Sequence, residues 1–251
     1  QTAARPSCGR PAPSLGDRMK LAVIPARGGS KRIPRKNIKL FAGKPMIAYA
    51  IELANKSNFF DHVVVSTDDA EIAAIARSFG AAVPFIRPPE LSGDHTGTIP
   101  VIAHAIKSFQ SKGGDVQQAC CIYPCVPMIE IEDLHKAHRM LSESNDNAAY
   151  VFAVAKFPAA IQRALRRTPD GRMTPMHPEN VSIRTQDLET GYFDAGQFYF
   201  GWAGAWLSGV SPHVEGKGLI IPEWRAVDID TPEDWHRAEL LFRAVNADRQ
   251  G

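Results

Sequence analysis

Several features are scarce or missing in this sequence, and each absence excludes something. No hydrophobic run approaches the ~18 apolar residues of a membrane span. The four cysteines, Cys8, Cys120, Cys121 and Cys125, form neither a CxxC…CxxC metal pattern nor a dense disulfide framework, so Cys120 and Cys121 read as reduced residues of a buried strand. Strong charge of one sign is lacking too. A formal net charge of +2 and a pI near 8.4 are too mild for a general nucleic-acid binder. There is no G-x-G-x-x-G and no G-x-x-x-x-G-K-[ST], which argues against an NAD dehydrogenase and a P-loop ATPase. The first eighteen residues hold three prolines, no helical or strand period and no apolar centre of a signal peptide; residues 1–18 read as a disordered extension or a start-site artefact. The setting these absences imply is soluble, reducing and cytoplasmic, with neither membrane nor nucleic acid as partner.

What the chain does have is length and alternation. With 251 residues, 44% of them hydrophobic, it can bury a substantial core, and residues 19–246 are expected to form a single domain. Apolar runs at 21–25, 62–66, 82–86, 119–123 and 148–155 alternate with helix-period segments beginning at Pro45, after Asp69, at Thr98 and at Ile131. This is the pattern of an α/β fold, a mostly parallel sheet flanked by helices. Prolines at 158, 169, 175 and 178 then break the rhythm, so that residues 156–191 read as an insertion. Further strands are expected at 196–201, 218–221 and 226–230, before a helix from Pro232 whose Thr231 and Asp234 are spaced as a capping box.

Two stretches carry chemistry. "IPARGGSKRIPRKN", residues 24–37, puts two glycines, a serine and five cations directly after a strand; from Arg27 to Lys44 there are seven Lys or Arg and no acid. Ligands of open α/β sheets bind at strand carboxyl ends, where glycines let backbone N–H groups approach an anion. The loop therefore suits a polyphosphate, with Gly28, Gly29 and Ser30 offering amides and Arg27, Lys31, Arg32, Arg35 and Lys36 offering charge. In "AVDIDTPEDW", Asp228 and Asp230 stand two apart on an extended segment, so their carboxylates share a side and can share a divalent cation such as Mg²⁺. His135 and His138 have helical spacing but no evident third ligand, and Trp202, Trp206, Trp224 and Trp235 are too scattered for a stacking platform.

These stretches, with "VVVSTDD", "RPPELSGDHTGT" and "VDIDTPEDW", resemble the CMP-sialic acid synthetase family of cytidylyltransferases over Met19 to about Arg243. "CCIY" and "RTQDLETGYFDAGQFYFG" look most like its branch that activates pseudaminic acid, a bacterial nine-carbon keto-sugar acid. The resemblance implies a Rossmann-like nucleotidyltransferase fold, a homodimer, and Mg²⁺-dependent transfer of CMP from CTP to the anomeric hydroxyl of the sugar acid with release of pyrophosphate. It implies that Arg27, Lys36, Asp228 and Asp230 are catalytic, Asp228 and Asp230 holding the metal. Ala26, Arg27, Gly28, Gly29, Ser30, Lys31, Lys36, Asn37, Arg87, Thr98 and Tyr123 would bind the nucleotide. Arg184, Gln186, Asp194, Gln197 and Tyr199 would meet the sugar, with Phe193, Phe198 and Tyr199 receiving its less polar tail. Residues 156–191 would reach over a partner's sugar site. One departure stands out: after "CCIY" the branch continues with small residues such as Ala-Thr-Ala-Pro, where this chain has Pro124, Cys125, Val126 and Pro127. A cytidylyltransferase for sialic, legionaminic or deoxy-octulosonic acid is the alternative, and a non-catalytic nucleotide-binding protein the alternative of another class.

Overall fold

The computed structural model describes residues 18–143 and 148–248; the extension expected at the amino terminus lies, but for Arg18, outside them. Seventeen strands and α-helices follow in chain order: β1 (Arg18–Pro25), β2 (Leu40–Phe41), β3 (Lys44–Pro45), α1 (Met46–Lys56), β4 (His62–Ser66), α2 (Ala70–Ser78), α3 (Thr98–Gln110), β5 (Asp115–Ile122), α4 (Ile131–Ser142), β6 (Tyr150–Lys156), β7 (Leu165–Arg167), β8 (Met173–Pro175), β9 (Tyr192–Trp202), α5 (Ala203–Ser208), α6 (Pro212–Glu215), β10 (Gly216–Ile220) and α7 (Pro232–Asp248). Six strands form one sheet in the order β10-β6-β9-β5-β1-β4. β1 runs parallel to β4 and β5, and β10 parallel to β6; β9 alone is antiparallel to both its neighbours.

Continuous apolar runs explain the central strands. Leu21, Ala22, Val23 and Ile24 are all buried, as a strand covered on both faces demands. One face packs Ala22 and Ile24 against Ile47, Ile51, Ile72 and Leu134 of α1, α2 and α4. The other sets Leu21 and Val23 against Ile102 and Ile106 of α3 and Trp206 of α5, whose indole donates to the Ala119 carbonyl at 3.0 Å. A third cluster unites Ile33, Phe41, Met46, Val227, Ile229 and Trp235, fastening α7 and the segment before it to the basic loop.

Two expected strands do not form. Residues 82–86 contribute only an isolated bridge between Val64 and Ala82, because Pro84 lacks the N–H that a ladder needs. Residues 226–230 run unpaired between the turn Glu223–Arg225 and α7. Pro45, expected as the first helical residue, instead takes the extended N-cap conformation, and α1 starts at Met46. The box at α7 does form: Asp234 Oδ2 accepts from Thr231 N at 2.8 Å, and Asp234 N donates to Thr231 Oγ1 at 3.1 Å. His138 packs on Phe59 and Phe200, and Trp206 and Trp235 are buried, so these residues serve packing. Among the described residues no helix is long and apolar enough to cross a membrane. Residues 157–191 stand off the sheet, with the β7–β8 hairpin exposed.

The unpaired 226–230 segment is held from below. Arg225, buried, meets the buried Asp133 of α4 through two hydrogen bonds of 2.5 and 3.1 Å, and its carbonyl accepts from Gln197 Nε2 at 2.6 Å. Removing one member strands the other charge, so Arg225→Met should destabilise the protein by roughly 3–5 kcal/mol. In urea titrations, Asp133→Leu combined with Arg225→Met should recover only part of that loss, because Asp133 also caps α4 by accepting from Glu130 N at 3.2 Å; a single variant with a parental midpoint would contradict the pairing.

Candidate active site

Parallel pairing brings the carboxyl ends of β1, β4 and β5 side by side, and a cavity of about 630 Å³ opens there. Its first wall is the basic loop. Ile33 plugs the loop into the core, Asn37 Nδ2 donates to the Arg27 carbonyl at 2.9 Å, and Gly28 N donates to Asp68 Oδ1 at 3.0 Å. Of the two glycines, Gly28 is the one sterics require: a Cβ there would lie 2.7 Å from Asp69 Oδ2, whereas Gly29 faces open space. Arg35 turns away from the cavity. Its φ is 56°, and it binds Asp69 at 2.5 Å and also Glu71, holding the Asp69 carboxyl down at about 2. Asp69 also caps α2.

The remaining cations already have partners. Arg27 pairs with Asp94 at 2.6 Å and Lys31 bonds the same carboxylate, which together hold the Asp94 carboxyl below its usual range. Arg32 reaches Asp230 Oδ2 at 2.8 Å, while Lys36 donates to the Ile229 carbonyl at 2.7 Å and to Asp230 Oδ1 at 3.2 Å. Asp228 lies on the same wall, and its carboxyl is raised by desolvation and by the neighbouring Asp230.

Deeper in, Arg87 is buried and donates to Ser66 Oγ at 3.0 Å and to the Ser66 carbonyl, partners that carry no neutralising charge. Burial pushes its pKa down. Thr98 Oγ1 and the Tyr123 hydroxyl share a hydrogen bond of 2.5 Å, and Tyr123 N donates to the Gln197 carbonyl at 2.9 Å. The Pro124–Pro127 departure falls on this wall: Cys125 lines the cavity, its thiol donates to Asn37 Oδ1 at 3.6 Å, and burial pushes its pKa up to about 12.

Of the residues singled out in the sequence, the cavity collects Arg27, Ser30, Lys31, Arg32, Lys36, Asn37, Arg87, Thr98, Tyr123, Tyr199, Asp228 and Asp230; Gly28 and Gly29 do not line it, and the Gly28 amide expected to meet an anion is taken by Asp68. Ala26 is buried beneath it. Arg184 and Gln186 are exposed on the off-sheet segment, away from this wall, and Gln197 is buried with its amide turned to Arg225. Phe198 is fully buried in the core and Phe193 meets Phe157 at a tilt, so of the three expected tail-receiving rings only Tyr199 faces the cavity. Asp94 and Asp68 escape sequence reasoning, since no spacing ties an acid to a cation 67 residues earlier or to an amide 40 residues earlier.

The sequence model of the cytidylyltransferase family matches residues 21–167. A pseudaminic acid cytidylyltransferase of Campylobacter jejuni is 38% identical over 89% of this chain and 96% of its own length. A CMP-N,N′-diacetyllegionaminic acid synthase of Legionella pneumophila is 31% identical over 88% and 95%. Among solved structures, a CMP-2-keto-3-deoxy-manno-octonic acid synthetase in complex with CTP superposes with a TM-score of 0.67 at 17% identity, covering 90% of this chain and 99% of that one. The fold, a mostly parallel sheet flanked by helices, is thus shared with nucleotidyltransferases far below detectable sequence kinship, while the sequence itself places the chain in a family: it belongs to the cytidylyltransferases.

Proposed function

We propose that this chain transfers CMP from CTP to the anomeric hydroxyl of a nonulosonic acid, pseudaminic acid foremost, and releases pyrophosphate. The observation that carries this reading is the gathering, around one cavity, of four cations from the basic loop and the acidic pair Asp228 and Asp230, with Arg32 and Lys36 touching Asp230. In the reaction, the sugar hydroxyl attacks the α-phosphorus as pyrophosphate leaves in line. Little covalent work falls to the protein, whose task is orientation and charge neutralisation. Arg27, Lys31 and Lys36 would meet phosphate oxygens with charge-assisted hydrogen bonds. The N–H groups of Arg87 not used by Ser66 would meet the cytosine carbonyl oxygen, with Thr98 and Tyr123 beside it.

Asp228 and Asp230 fit Mg²⁺: they are hard oxygen donors, and the raised Asp228 carboxyl is one that a cation would bring back down. Among the described residues no cluster of three His, Cys, Asp or Glu stands ready for a metal, so substrate phosphates would complete the coordination. Bound there, Mg²⁺ supplies positive charge at the transferring phosphoryl group. Asp228→Asn and Asp230→Asn should each remove most pyrophosphate release while leaving thermal unfolding unchanged. Near-parental turnover of either variant at low Mg²⁺ would refute the metal assignment.

The off-sheet segment supports a homodimer. Leu165, Met173, Met176, Val181 and Ile183 are exposed on it, an apolar surface that a second copy would cover. Arg184 and Gln186, remote from their own cavity, would then serve the partner's sugar site, where the guanidinium fork of Arg184 matches a carboxylate. Light scattering should give twice the chain mass; a monomer at working concentration would count against the arrangement.

The deciding experiment is pyrophosphate release from CTP with a panel of sugar acids. Pseudaminic acid should be used about tenfold or more better than N-acetylneuraminic acid, a difference of ~1.4 kcal/mol. Equal or better use of N-acetylneuraminic acid would overturn the sugar assignment alone. No release with any sugar acid would favour a non-catalytic nucleotide-binding protein.

A further inference from the structure

Strand β9 carries an irregularity beside the cavity. Where β6 advances from Phe152 to Val154, β9 advances from Tyr199 back to Asp194, and Gly196 within that stretch has a φ of 61°. Bulges of this kind re-aim side chains. Here the excess chain folds Asp194 back on to Tyr199, whose hydroxyl donates to Asp194 Oδ2. The same carboxylate accepts from Gly196 N at 2.8 Å through Oδ1, and His213 Nε2 of α6 lies 2.6 Å from Oδ2. Among the described residues Asp194 pairs with this histidine and with no Lys or Arg. The His213 ring meets Phe152 and Tyr199 edge-on, with centroids 5.4 and 6.2 Å away.

A phenol owns one proton and can also accept. We propose that Asp194 and His213 are positioning residues that tie up the Tyr199 proton, so that the Tyr199 oxygen meets the sugar acid purely as an acceptor and selects an O–H or N–H group there. Tyr199 lines the cavity, and burial and the adjacent Asp194 keep it a phenol by raising its pKa. With its proton facing Asp194, its oxygen has only lone pairs left to offer. A carbonyl or carboxylate oxygen set against it would find no donor and would face the Asp194 charge behind it. The sugar acid consequently lies with its carboxylate turned away from Tyr199 and a hydroxyl or acylamino N–H turned towards it. This rests on the reading of the cavity as the site of the sugar acid, and it assigns Asp194 a role behind Tyr199 rather than in direct contact with the sugar.

The test joins a spectroscopic and a kinetic measurement on the full chain. In protein labelled with ¹³C at tyrosine Cζ, the resonance that Tyr199→Phe deletes should shift in Asp194→Ala and in His213→Ala, and should move back towards its parental position in His213→Gln, which restores a donor. In steady-state kinetics with pseudaminic acid, Tyr199→Phe and Asp194→Ala should raise KM for the sugar about tenfold or more, with KM for CTP within about twofold of the parent. An unshifted Tyr199 resonance in both alanine variants overturns the proposal. So does a KM for CTP that rises in step with that for the sugar, since the cavity as a whole would then have changed. Should Asp194→Ala fail to fold, His213→Ala and Tyr199→Phe decide by the same criteria. A parent that turns over no sugar acid removes the functional reading first, and the proposal with it; an active parent whose variants keep their KM for the sugar sinks the proposal alone.

Discussion

Seven cations crowd the stretch from Arg27 to Lys44 with no acid among them, so every counter-charge must come from another part of the chain. The structure meets this constraint with acids for six of the seven and with an aromatic ring for the other. Asp94 answers Arg27 and Lys31; Asp230 answers Arg32 and Lys36; Asp69 and Glu71 answer Arg35; Glu52 answers Lys44 at 2.9 Å; and Lys39 lies 4.5 Å above the Trp235 ring. Each answer draws a different element to the loop: the segment before α3, the last segment before α7, the start of α2, and α1. The cavity is what remains between them.

Such pairs orient more than they stabilise, since partly exposed ion pairs contribute about 0–1 kcal/mol each. Cohesion comes from apolar contacts beneath. Ile33, Val227, Ile229 and Trp235 share one cluster, and Phe41 meets Tyr49, Trp235 and Phe242 edge-to-face at 5.3–5.7 Å between centroids. The alternation of Val227, Asp228, Ile229 and Asp230 therefore does double duty. Its apolar members are buried, Val227 also forming part of the cavity wall, while its acids face the cavity, although no strand partner holds the segment.

That alternation shows how far the sequence could be read. The period-two spacing of Asp228 and Asp230 placed both carboxylates on one side, and it did so without the strand that such spacing suggests, because burial of Val227 and Ile229 enforces the same alternation. The central strands and α4 were legible because apolar runs and helical periods are local signals. Residues 82–86 misled, their apolar character outweighing a proline that bars pairing. Asp94, Asp68 and His213 were not legible at all: their partners lie 67, 40 and 19 residues away, and only the closed fold brings them together. Gln197 looked like a sugar ligand beside Tyr199, yet in the irregular part of β9 it turns to the opposite side and serves the carbonyl of Arg225.

Asp94 and Asp230 already stand where an anionic ligand would go. An incoming polyphosphate does not meet bare cations: at Arg27 and Lys31 it would trade places with Asp94, and at Arg32 and Lys36 it would come up beside Asp230. Each pair is weak by itself, and a chain of linked phosphates can exchange with several of them at once. The cations of the cavity are thus kept in place before any ligand arrives, and what keeps them there is two aspartates from segments far apart in the chain.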